Sequence, residues 1–336
     1  LDGAPATPDA VDPHLVGDDP SADTRTRWFL GYVLTTMGDL STAARHTAVA
    51  LAAAAELDDR WIVAAALADR STQALGRGRP ADAAADGARA AALFAEIGDR
   101  WGQVQATFAL GSLAEIAGDY RRAAEQHRAG LRTAEELGLR AEISYQLSWL
   151  GRVALLTGDL AGARRLHERA RDTAVEHGFA PGRVFALIGL ALGGRRAGDL
   201  DDAERQLREV LQWQRGLPDE PGNYLILVEL GFIAELRGDA EGALALQRRA
   251  GAIARPLPDP RAHALTWEGL AGAESLAGRP VEAARLLGAA AAARAGVGLP
   301  LPAAERGDIE RITARITAAI GPDRFAAEHA RGRTSG

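Results

Sequence analysis

The stretch LGSLAEIAGDYRRA, residues 110–123, decides how the whole chain reads. Leu113 and Ile116 continue a helical apolar spacing begun at Val104, Phe108 and Leu110. Gly118 ends that helix, because glycine accepts the left-handed conformation of a C-terminal cap. Asp119 can cap the next one, accepting backbone N–H bonds at the positive end of the helix dipole. The second helix is expected over Tyr120 to Leu137 with Gly138 closing it, so the unit is an antiparallel helix pair.

The pattern returns every 40 residues. Gly38, Gly78, Gly118, Gly158, Gly198, Gly238 and Gly278 keep the beat; Asp follows five of them, and Arg-Pro follows Gly78 and Gly278. A proline just inside a helix start costs no hydrogen bond. Ala stands five residues after every one of these glycines, from Ala43 to Ala283. Seven residues before them stand Gly31, Ser71, Gly111, Gly151, Ala191, Gly231 and Ala271, small enough to let two helices approach closely. Leu30, Leu110, Leu150, Leu190, Leu230 and Leu270 supply the matching bulk, and Arg70 breaks that row in the second unit. A fixed period of this size marks stacked repeats, each burying its apolar face against the next.

Leu110-Gly111, then Gly118-Asp119-Tyr120, then Ala123 resemble the landmarks of the tetratricopeptide repeat (TPR). The resemblance covers about residues 22–296 and implies an all-α, right-handed TPR-like solenoid of about seven 40-residue helix pairs. Two departures stand out. The period is 40 rather than 34, which calls for longer helices. The position four residues after the Ala, aromatic in that family, holds Thr47, Gly87, His127, His167, Leu207, Gln247 and Leu287. The expected organisation is a linker over 1–20, repeats over 21–296 and C-terminal capping over 297–336. In that last part a helix is expected over Ala303 to Ile320 and a shorter one from Asp323 to about Arg331.

Composition narrows the function classes. Alanine and leucine dominate, aromatics are few, and helix is favoured over strand. With no cysteine there is no disulfide framework or thiolate zinc site, and a cytoplasmic location is expected. No apolar run approaches the roughly 20 residues that span a bilayer, so no membrane partner is expected. The first 20 residues are acidic and proline-rich, unlike a signal peptide, and the chain begins with Leu, as a piece of a longer protein would. All 39 basic residues are arginine. A phosphate loop of the GxxxxGK[ST] type and a lysine Schiff base are therefore both excluded from this segment.

Catalytic and metal chemistry find little support. His127 and His167 lie one period apart, yet no carboxylate or thiol with ligand spacing accompanies them, and packing is the expected role. No HExxH or GxSxG motif stands out, so no catalytic, cofactor-binding or metal residue is assigned. The net charge of −6 and the scattered phases of Arg121-Arg122, Arg164-Arg165, Arg195-Arg196 and Arg248-Arg249 argue against direct nucleic-acid contact.

The TPR resemblance places ligands on the concave face of the first helices. Carried onto this sequence, it selects Arg25, Trp28 and Tyr32; Phe108, Ser112 and Glu115; Tyr145, Ser148 and Arg152; then Phe185, Arg195, Leu225, Phe232 and Glu235. Aromatics beside a few charges suit a peptide or small-molecule effector, although Phe108 and Phe185 equally suit the core between repeats. Arg152 and Arg195 are spaced to share one anionic group.

The tail, from Ala283-Ala-Arg-Leu-Leu-Gly through the LPLP segment to Phe325-Ala-Ala-Glu-His-Ala-Arg, resembles the C-terminal end of actinobacterial LuxR-type and SARP-type STAND transcriptional regulators. That resemblance implies a sensor arm whose ATP-binding core and DNA-binding domain lie outside this segment. A freestanding TPR scaffold for protein partners is the alternative, and oligomerisation through a terminal face stays open.

Overall fold

The computed structural model describes residues 20–36, 39–213, 223–257, 259–298 and 300–334, and every regular element among them is a helix. In order these are α1 (Pro20–Thr36), α2 (Leu40–Glu56), α3 (Arg60–Gly76), α4 (Pro80–Glu96), α5 (Arg100–Ile116), α6 (Tyr120–Leu137), α7 (Arg140–Leu156), α8 (Leu160–Glu176), α9 (Ala180–Ala197), α10 (Leu200–Trp213), α11 (Asn223–Leu236), α12 (Ala240–Ala254), α13 (Pro260–Leu276) and α14 (Pro280–Gly296). A 3-10 turn (Ala303–Glu305), α15 (Gly307–Ile320) and α16 (Pro322–Thr334) follow. The chain is an all-α TPR-like solenoid of seven helix pairs. Residues 1–19 of the expected linker and Gly38 lie outside the described residues.

The backbone beat is twice as fast as the glycine pattern suggests. A left-handed residue falls at 58, 78, 98, 118, 138, 158, 178, 198, 238, 278 and 298, and the one at 58 is Asp58, φ 53°. Aspartate is among the few residues that tolerate this region. The Gly-Asp pair shows how so tight a connector works. Gly118 N–H bonds to the Glu115 carbonyl and Asp119 N–H to the Ala114 carbonyl, both at 2.9 Å, which closes α5 in a Schellman motif. The Asp119 carboxylate then accepts the Arg122 N–H at 2.9 Å and opens α6. One aspartate ends one helix and starts the next, so two helices of 17 or 18 residues with short connectors fill the 40-residue period.

Odd-numbered helices form the inner layer: α1 touches α3, α3 touches α5, α7 touches α9, and α11 touches both α9 and α13. Even-numbered partners pack outside them. The missing TPR aromatic has a physical explanation in this layering. The side chain at that position lies on the small residue of its own pair. A Cβ added to Gly31 would meet Thr47 Oγ1 at 2.7 Å, and one on Gly151 would meet His167 Nε2 at 2.6 Å. Gly111 faces His127 and Gly231 faces Gln247 in the same way. The second pair reverses the sizes, with Ser71 opposite Gly87 and Ser71 Oγ bonded to the Ala83 carbonyl at 2.7 Å. His127 and His167 are therefore core-filling residues, as expected. Among the described residues no group of three or more potential ligands gathers at either.

The C-terminal part departs from simple capping. α16 does cover α14, and so closely that glycine is required on both sides. A Cβ on Gly288 would run into the His329 carbonyl, and one on Gly332 into the Arg285 carbonyl. Gly332→Val is expected to weaken that docking by about 1–3 kcal/mol, read as roughly 5- to 150-fold faster amide exchange over Pro322–Thr334. Unchanged protection there would refute the packing account. α15 packs on α14 and α16 and also against α13, reaching back along the inner layer with Ile312 and Ile316 fully buried beside Phe232, Ala271 and Leu287. The preceding 3-10 turn touches α7.

Candidate functional site: the inner groove

The inner surface divides into two bands. Toward the C-terminal ends of α5, α7, α9 and α11 it is charged, and the chain's own C-terminal segment occupies it. Arg152 donates to Glu115 Oε1 at 2.8 Å and to Glu305 Oε1 at 3.3 Å, and Arg196 donates to that same Glu305 oxygen at 3.1 Å. Arg195 donates from Nε to Glu229 Oε2 at 2.6 Å and from Nη1 to Asp308 at 3.0 Å, with its guanidinium 5.0 Å above the Phe232 ring. Glu235 receives Arg315 at 2.6 Å and also Arg311, which in turn holds Asp308.

The electrostatics favour this arrangement. Burial alone would raise the Glu305 carboxyl; the Arg152 and Arg196 charges more than reverse that and hold it below its ordinary value. Asp308 is likewise held low, burial being outweighed by Arg195 and Arg311. Burial opposes the charge on Arg152 and Arg195, and the carboxylates beside each keep it protonated.

The sequence-based pairing of Arg152 with Arg195 does not hold. They serve different carboxylates, because Arg195 is turned towards α11 and Glu229. Arg152 and Arg196 are the pair that shares an anion, and that anion is Glu305 from the same chain. Arg152, Glu115, Arg195, Phe232 and Glu235 lie on the inner-layer helices α5, α7, α9 and α11, where they pack against an internal segment.

The second band lies on α1, α3, α5 and α7 and is aromatic. Trp28 contacts Tyr32, Trp61 and Trp101 at centroid distances of 6.0, 4.9 and 6.4 Å, and Trp61 stacks on Trp101 at 6.0 Å. Further along, Trp149 gathers Phe108 at 5.1 Å, Phe185 at 4.9 Å and His127 at 5.8 Å, so Phe108 and Phe185 belong mainly to the core between repeats. Tyr145 bridges Phe179 and Phe185. Burial raises both tyrosine hydroxyls, Tyr145 to about 12. Glu142 adds to the rise at both, and Asp69 adds at Tyr32 and Tyr32 at Tyr145.

The remaining sequence-selected residues take varied places. Arg25 is exposed and pairs with Asp59 at 3.5 Å, at the rim rather than in the groove. The Ser112 and Ser148 hydroxyls are buried without a partner, and Leu225 is half-buried on α11. Sequence reasoning missed Trp61, Trp101, Trp149, Asp69, Glu142 and Arg196. Trp61 and Trp101 had a usable signal, since Asp-Arg-Trp occurs at 59–61 and again one period later at 99–101. A recess of about 540 Å³, lined by Val175, Phe179, Leu187 and Trp213, lies where α8, α9 and α10 meet and borders the aromatic band through the Phe179 ring.

No family model and no curated protein matches the sequence. Solved structures do match. A Rap protein complexed with competence and sporulation factor is 13% identical, with 94% of this chain and 95% of that one covered and a TM-score of 0.60. The apo form of the quorum sensor NprR from B. thuringiensis is 10% identical over 94% and 99% of the two chains, TM-score 0.54. A Rap conjugation gene regulator in complex with the Phr peptide is 16% identical over 79% and 78%, TM-score 0.56. At these identities the likeness is one of fold.

Proposed function

We propose that this chain is a peptide-binding regulatory arm whose inner groove takes a helical or extended protein segment. The observation that carries the reading is the groove's own content. Residues 303–316 lie in it, held by Arg152, Arg195, Arg196 and Glu235 and by the buried Ile312 and Ile316. That internal segment has the features of a helix-in-groove ligand: an apolar face at i and i+4 with flanking charges. Two of the structures of similar fold hold a factor or peptide by their own descriptions, which supports the same use here.

The resemblance of the tail to LuxR-type and SARP-type STAND regulators supports a finer assignment. The arm would sense an effector and pass its occupancy to an ATP-binding core outside this segment. It could do so only if the effector's affinity differs between the two states of that core. No enzymatic role is proposed for the arm itself, and its partners would be proteins or peptides rather than nucleic acid.

The test uses the full chain with Ile316→Asp, which releases α15, and a synthetic peptide of residues 303–320. The variant should bind that peptide. The wild type should bind it at least tenfold more weakly, because its tethered segment competes at an effective concentration on the order of millimolar. Equal binding to both, or to neither, would overturn the reading.

A further inference from the structure

The internal segment fills only the charged band and leaves the aromatic one facing the groove. Asp69, at the middle of α3, is 8% exposed, and among the described residues no cation pairs with it. Trp28 leans on it and offsets part of the burial cost. The contact falls short of bonding geometry, however: Trp28 Nε1 and Asp69 Oδ2 are both buried without a partner. Glu142 stands nearby on α7, accepting the Trp101 indole and the Gln105 amide at 3.3 Å each, and it too has no arginine partner among the described residues. Trp28 meets Trp101 at 6.4 Å and Trp101 donates to Glu142, so the rings of α1 and α5 lead directly to the α7 carboxylate. Three acidic groups, counting Asp99 on the Trp61 indole, meet three indole rings and two phenols, and among the described residues no cation pairs with Asp69 or Glu142.

The rest of the chain pairs its buried carboxylates with arginine. Glu268 receives Arg294 through two bonds of 2.7 and 2.8 Å, and Glu229 receives Arg195, whose guanidinium also covers the Phe232 ring. Aromatic face plus buried carboxylate is a guanidinium site in this protein already. The aromatic band offers the same chemistry with its cation missing. A guanidinium fits better than an ammonium, being planar, weakly hydrated and able to stack while it donates two parallel bonds.

We propose that the inner face of α1, α3, α5 and α7 binds an arginine side chain of the incoming peptide, held in the corner between the perpendicular Trp28 and Trp101 indoles with Asp69 and Glu142 as its counter-charges. The proposal rests on the peptide-groove reading and specifies one subsite of it. Burial raises the Asp69 carboxyl well above its ordinary value and disfavours its charge in the ligand-free fold, so a cation that arrives would restore that charge.

The test adds the blocked tripeptide acetyl-Ala-Arg-Ala-amide, or its citrulline analogue, to the full wild-type chain and follows the indole N–H signals by NMR. The arginine peptide should shift the Trp28 and Trp101 signals. Citrulline, isosteric and neutral, should bind at least tenfold more weakly, and Asp69→Asn should lose at least tenfold while melting no lower than wild type. Equal binding of citrulline, or an Asp69→Asn chain that melts lower and binds undiminished, would overturn the proposal and leave Asp69 a structural residue. The peptide of residues 303–320 addresses the charged band, so its binding alongside a failed tripeptide would sink only the arginine subsite. Failure of both would sink the groove reading as well.

Discussion

Replacing Arg195 with Met is expected to lower the free energy of unfolding by about 3–5 kcal/mol, the range for removing one member of a buried ion pair. Arg195 and Glu229 are each 5% exposed at the side chain, so the Glu229 carboxylate left behind has no water to turn to. Asp308 loses its longest-range anchor in the same step, and α15 should loosen at its N-terminal end. Urea unfolding reads the first effect and amide exchange over Gly307–Ile320 the second. The matched variant Arg195→Met with Glu229→Leu should regain most of the stability, because a well-packed apolar pair often equals a buried salt bridge. It should not restore the α15 anchor. A single variant as stable as wild type would show that Glu229 finds another partner.

Acid should destabilise the fold between about pH 6.5 and pH 4, and a single residue accounts for most of it. Burial pushes His167 down to about 4, with the Arg152 charge adding to the effect. The folded chain therefore keeps this ring neutral where the unfolded chain, with an ordinary pKa near 6.5, already binds a proton. Stability is fully present above pH 6.5 and declines as pH falls towards 4, by up to about 3 kcal/mol at 1.36 kcal/mol per unit. His127 is lowered by burial as well and steepens the slope. The chain supplies the control itself, since Gln247 fills the equivalent slot against Gly231 and Gly269. His167→Gln should flatten thermal stability across this window and leave it near wild type at pH 7. A slope as steep as wild type after the substitution, beyond what His127 supplies, would place the acid sensitivity elsewhere.

Period and capping were legible in the sequence because they are local. A left-handed turn needs glycine or a tolerant stand-in, a helix start needs an acceptor, and both needs print themselves every few residues. The doubled beat was harder to see, since Asp58 is aspartate where glycine was the marker. The groove residues were legible as positions but not as roles. Arg152, Arg195 and Glu235 stand where a TPR-like repeat presents its inner face, yet their partners Glu305, Asp308, Arg311 and Arg315 are 76 to 153 residues away. No periodic signal encodes a segment that leaves the repeat and returns into it. Capping described α16 well because covering an exposed last helix is a local demand; α15 answers demands set two and three pairs earlier, at Glu235 and Arg195.

The start of α13 rests on the end of α3: Arg261 donates to the Leu75 carbonyl at 3.0 Å, and Pro260 lies beside Gly78. A coil whose later turns touch its earlier ones behaves as a split ring rather than an open trough. At this contact the two turns meet, so a ligand passing between them would need the seam to part. Association that waits on such opening is slower than docking on a free surface. Among the described residues the seam is made by the Arg261 side chain and by Pro260 and Val297 beside Gly78, and a wedge between residues 75–78 and 260–261 would set the rate of entry there without touching any group that holds the guest.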